Sequence, residues 1–144
     1  MDLYWYARDR MQGKQQPLLQ WEFGAAKDWD SVGPPAQLGK RLFEALTQRP
    51  LDAEWAPLTN NLMHWGYGSQ CALLYGIAAG STRDKRIAYG LLLGGGVWLS
   101  SYIILPIAKL YQPIWMYDAK TLATDLGAHL AYGVATAAAF KALS

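Results

Sequence analysis

Cysteine occurs once in this chain, at Cys71, and histidine twice, at His64 and His129. One cysteine excludes an internal disulfide and any cysteine-based metal cluster. With no basic partner in its own segment, Cys71 reads as an inert buried thiol. Charge is also scarce: 17% of residues are charged, against roughly a quarter in ordinary globular proteins. The 13 basic and 11 acidic residues nearly cancel to +2, so no basic footprint for nucleic acid is present. No G-x-S-x-G, Walker-type or G-x-G-x-x-G element occurs, and Gly94-Gly95-Gly96 lies inside an apolar run where it serves packing. The opening Met1-Asp2-Leu3-Tyr4-Trp5 does not read as a secretory signal. The expectation is a protein that is not an enzyme and holds no cofactor and no metal.

What is abundant is apolar. The chain is 52% hydrophobic, with seven Trp and nine Tyr. Before Pro57 it is mixed and charge-rich; beyond Leu62 the charges reduce to Arg83, Asp84, Lys85, Arg86, Lys109, Asp118, Lys120, Asp125 and Lys141. Ile87–Ala108 carries no charged side chain and is long enough to cross a hydrocarbon core. Lys109, Tyr111 and Trp115 follow it as an interfacial border. Leu58–Gly80 is interrupted by Asn60, Asn61, His64, Ser69 and Gln70, and Leu122–Leu143 by Asp125 and His129. A mean hydropathy of −0.02 keeps a soluble bundle with one greasy central helix as the alternative. The glycine spacing favours the membrane. Gly76-x-x-x-Gly80, Gly90-x-x-x-Gly94 and Gly133-x-x-x-Ala137 let helix backbones approach closely where lipid offers no hydrophobic drive. In water each such glycine costs about 1 kcal/mol against alanine.

The expected fold is all-α: a membrane helical bundle of three spans (58–80, 87–108 and 120–143), preceded by an N-terminal interfacial segment, residues 1–57. Ser81–Arg86 forms a basic turn, and Tyr111–Lys120 joins the second and third spans with Asp118 placed to cap the last helix. In the N-terminal third, Met1–Ala7 reads as the tail of a helix leaving a bilayer, closed by Arg8, Arg10 and Lys14. Gln15–Pro35 reads as a loop. Ala36–Gln48 reads as an amphipathic helix, with Leu38, Leu42, Phe43, Ala45 and Leu46 on one broad face. Such a helix lies on a membrane surface or packs on the bundle. Trp21, Trp29, Trp55 and Trp65 read as an interfacial aromatic belt.

Both histidines stand in the same frame. His64-Trp65-Gly66-Tyr67-Gly68 and His129-Leu130-Ala131-Tyr132-Gly133 each read H-x-x-Y-G, with Asn60 and Asp125 four residues upstream. Helical spacing aligns Asn60, His64, Gly68 and Cys71 on one stripe, and Asp125, His129, Gly133 and Thr136 on the other. If the first and third spans run parallel, the copies share a depth and their stripes face each other or a common neighbour. Asn60, His64, Asp125 and His129 are therefore the candidate polar functional positions. The plain reading of the histidines is hydrogen bonding within the bundle. The other two are a polar path or proton relay, and haem or metal between them. Asp125 is either an interior carboxylate or a first-turn residue favoured by the helix dipole.

The segments Pro34–Leu42, Leu58–Gly68, Tyr111–Thr121 and Asp125–Gly133 together resemble the YagU-like family of small bacterial inner-membrane proteins, for which no activity is established. The resemblance covers most of the chain from about Trp21 onward. It implies a multi-pass protein of the inner (cytoplasmic) membrane whose partners are the lipid bilayer and either a second copy or a membrane complex. Relatives look as though a Gly/Ala-rich helix precedes the segment matching Met1–Trp5. Either that helix is lost here or the start is placed too late; if present, it is expected to cover glycine faces at Gly76, Gly90 and Gly94. The function expected is structural or accessory, through helix packing. The alternatives are an oligomeric transporter or channel-like protein with a His/Asp/Asn path, and a bis-histidine haem redox protein.

Overall fold

The computed structural model describes residues 2–24, 28–81 and 87–143. Six α-helices follow in order: α1 (Asp2–Met11), α2 (Leu18–Gly24), α3 (Pro34–Thr47), α4 (Ala56–Gly80), α5 (Tyr89–Ile107) and α6 (Ala119–Leu143). No strand occurs among the described residues. Most of the basic turn read at Ser81–Arg86 lies outside them. The chain divides into two compact units, one built mainly from residues 6–68 and one from residues 3–5 and 69–144. The division falls inside α4, which runs unbroken from Ala56 to Gly80.

In the N-terminal unit, the segment expected to be a loop contains α2. The reason is an anchor the spacing did not reveal. The Trp21 N–H closes the first turn on the Pro17 carbonyl at 2.9 Å. The Trp21 indole N–H donates to Asp9 at 3.1 Å, and its ring packs edge-on against Tyr6. That indole bond, together with Lys14, holds the Asp9 carboxyl below its usual range. Pro34 and Pro35 open α3 at positions whose N–H groups need no intrahelical partner. The helix ends at Gln48, a left-handed residue whose N–H returns to the Glu44 carbonyl at 2.9 Å. Trp29 ties the following chain back: its indole donates to the Leu51 carbonyl at 3.0 Å, and its backbone carbonyl accepts from Gln37. Ala36 and Gly39 are the buried face of α3. Gly39 sits so close to Thr59 and Met63 of α4 that a Cβ there would fall 2.9 Å from the Thr59 methyl.

In the C-terminal unit, α5 and α6 cross with their backbones in contact. A Cβ on Gly90 would strike the Gly133 carbonyl and come 2.9 Å from Val134 Cα. On Gly94 it would strike the His129 carbonyl, and on Gly133 it would lie 2.7 Å from the Gly94 nitrogen. Of the four-spaced pairs read from the sequence, Gly90/Gly94 and Gly133/Ala137 thus make one crossing, with Ala137 buried in the same stripe of α6, while Gly76 and Gly80 meet only the Phe140 ring. Gly90 and Gly94 are covered by α6, and Gly76 is half-buried beside the Phe140 ring. Gly95 and Gly96 face open space, and only Gly94 of the triplet packs.

The ends of both helices follow from local chemistry. Asp118 accepts from the Thr121 N–H at 3.0 Å, the N-cap bond its position foretold. At the other end of α5, Lys109 takes the left-handed conformation. Its N–H bonds to Pro106 and that of Leu110 to Leu105, both at 2.9 Å, the paired bonds of a Schellman turn.

By length and apolar composition, α5 is the one helix among the described residues able to cross a membrane. Its 19 residues rise about 28 Å, close to a hydrocarbon core. The 25-residue α4 and α6 are longer, but their polar insertions keep them short of that composition.

Candidate functional site

The polar centre of the C-terminal unit is built on the same stripe that makes the crossing. Seven residues beyond its cap, α6 presents Asp125, then His129 one turn later, then Gly133. His129 is 6% exposed. Its Nδ1 lies 2.8 Å from the backbone carbonyl of Asp125 and 3.5 Å from Asp125 Oδ1. A carbonyl only accepts, so Nδ1 carries a proton and donates this bond.

From α5, the Tyr102 hydroxyl donates to Asp125 Oδ2 at 3.1 Å. Asp125 lies beyond the first turn of α6, and its carboxylate faces the neighbouring helix. Two of the four candidate positions, Asp125 and His129, therefore lie together on α6, with Asp125 bonded to α5. Asn60 and His64 are half-buried on the first half of α4, in the other unit.

Sequence reasoning missed the aromatic side of this site. Around Tyr102 stand Trp98 at 5.1 Å and Tyr111 and Tyr117 at 5.4 Å between ring centroids, with Tyr111 and Tyr117 5.9 Å apart. These are ring-to-ring packing distances, so the rings themselves fill the space between them. The Tyr117 hydroxyl accepts from the Gln112 N–H at 3.2 Å and fixes the loop after α5. Tyr111, just outside α5, has its phenol pushed up to about 12, first by burial and then by the negative charges of Asp125 and Tyr117. The signal was present: continuing Gly90 and Gly94 by steps of four gives Trp98 and Tyr102. The Trp98 indole N–H is buried with no hydrogen-bond partner among the described residues.

Chemically, one phenol–carboxylate bond joins the two helices, with the imidazole beside the carboxylate on α6. Among the described residues no group of three or more His, Cys, Asp and Glu side chains is arranged to hold a metal ion. Cys71 is half-buried and outside this cluster. No protein-family model matches the chain, and neither a curated protein nor a solved structure matches it.

Proposed function

We propose that this chain is a small multi-pass protein of the inner membrane, spanning it at 58–80, 87–108 and 120–143. Its role is structural or accessory, exercised through helix contacts. The observation that carries the reading is the two-sided character of α5. One side is locked backbone-to-backbone on α6; the other turns Leu92 (74% exposed), Leu99, Ile103, Ile104 and Ile107 (79% exposed) outward. Exposed apolar surface on this scale marks a membrane or partner contact.

If α5 enters the bilayer, the crossing carries α6 in with it. Asp125, one of the polar groups that lower the hydropathy of α6, is then bonded to Tyr102 of α5, and His129 is buried and bonded within its own helix, which reduces their cost in lipid. On α4, Leu58, Leu62, Leu73, Leu74 and Ile77 are likewise exposed. The likeness to the YagU-like type supports the same assignment through the segments around Pro34–Leu42, Leu58–Gly68, Tyr111–Thr121 and Asp125–Gly133. Alkaline carbonate extraction of expressed membranes tests it: the protein is expected in the pellet, and release into the supernatant sinks the membrane reading.

A second reading is favoured by the Asp125–Tyr102 bond between helices. An ionisable group inside a membrane bundle marks a polar path or proton site by default, and three spans would need oligomerisation to enclose one.

A further inference from the structure

The apolar face of α3 is only partly used by the fold. Ala36 and Gly39 are buried, and Gly39 presses on Thr59 and Met63 of α4. Leu42 (50% exposed), Phe43 (40%) and Leu46 (84%) remain open beside that contact. At 100° per residue Leu38, Leu42 and Leu46 form one edge of the helix, next to the Gly39 face. Lys40, Arg41 and Glu44 occupy the other side, with Lys40 paired to Glu44 at 3.3 Å and stacked over Trp29. This is the residue distribution of a helix lying in a membrane interface: basic and acidic groups outward, Leu and Phe beneath.

The place where α3 meets α4 selects the occupant. Thr59 and Met63 lie about 5 and 10 Å along α4 from its first residue, Ala56. These are the opening turns of the first proposed span, so the contact pins α3 at the depth where that span enters the bilayer. The exposed indole-bearing residues of the same unit, Trp55 ahead of α4 and Trp65 within it, are of the type that settles at headgroup level. We infer that α3 is an in-plane interfacial helix that seats its Leu42–Leu46 edge in the headgroup–acyl boundary of the bilayer, with α4 as its depth stop. The inference rests on the membrane reading above.

The test uses the full chain in phospholipid vesicles, with Cys71→Ser as background and an environment-sensitive fluorophore on a single cysteine. Leu46→Cys reports the apolar edge, Arg41→Cys the polar side, and Leu92→Cys the outward face of α5. The expected result is quenching of the Leu46 probe by lipids brominated near the headgroup and protection from aqueous iodide. The Arg41 probe should show the reverse. A Leu46 probe quenched by iodide as strongly as the Arg41 probe overturns the docking. A Leu46 probe reached by neither quencher also overturns it, and assigns the face to a protein contact. The Leu92 probe separates the two levels: if bromolipids quench it while Leu46 stays in water, only the docking fails. If they quench neither, the membrane reading fails with it.

Discussion

At the scale of single residues, α5 and α6 carry two kinds of glycine. Gly133 has the Gly90 carbonyl where its Cβ would be, while Gly96 faces open space. A backbone atom cannot rotate aside as a flexible side chain can. Gly133→Val is therefore expected to force the helices apart and cost about 3 kcal/mol, the upper part of the usual overpacking range. Gly96→Ala is expected to be neutral or to stabilise by up to about 1 kcal/mol, through lost glycine entropy. Thermal unfolding of the two variants in one detergent compares them directly, and equal effects would contradict the crossing. Tyr111 gives a second residue-scale expectation. Its phenol is raised from near 10 to about 12, so the folded state holds the proton more tightly than the unfolded one. Its contribution to stability is complete below pH 10 and is lost as pH rises from about 10 toward 12. An alkaline stability series on the wild type and Tyr111→Phe checks the sign, since the variant should lose less over that window.

Elements of this protein are bounded by local chemistry that can be read without the fold. Pro34-Pro35 starts α3, Asp118 caps α6, and the apolar run of α5 ends where Lys109 turns left-handed. At Gln48 the left-handed backbone is occupied by a residue with a Cβ, a conformation costing about 1–2 kcal/mol outside glycine. Gln48→Gly is expected to stabilise the N-terminal unit by about 0.5–1 kcal/mol, because it relieves that strain but gives up the side-chain bond to the Ala45 carbonyl. Chemical denaturation followed by circular dichroism reads the change. Where local rules failed is equally specific. Within Gln15–Pro35 the prolines and scattered aromatics gave no helical period, yet α2 forms. Its stability comes from Trp21 reaching Asp9, twelve residues upstream, a contact that no short window contains.

For the whole molecule, the proposed three spans make a topological prediction. With Ser81 after the first span and Gln112 after the second, the two positions belong on opposite faces of the bilayer. Single cysteines at Ser81 and Gln112, in a Cys71→Ser background, should react with a membrane-impermeant maleimide from opposite sides of sealed vesicles. Labelling of both from one side would show that α5, the helix between them, does not cross as proposed. The amino-acid sequence by itself determined the helical class, the Asp118 cap of α6 and the apolar run of α5, because periodicity, caps and uncharged length are local properties. It also marked the four-spaced glycines, since close approach requires a missing Cβ wherever the partner lies. Only the tertiary structure decided which helices use them, and that Asp125 and His129 meet α5 with Tyr102 between the helices while Asn60 and His64 stand in the other unit. It also decided that Tyr111 and Tyr117 close around Tyr102. Those pairings join residues far apart along the chain, and a hydrogen bond or a ring contact is fixed by where backbones cross, which helical phase alone leaves undetermined.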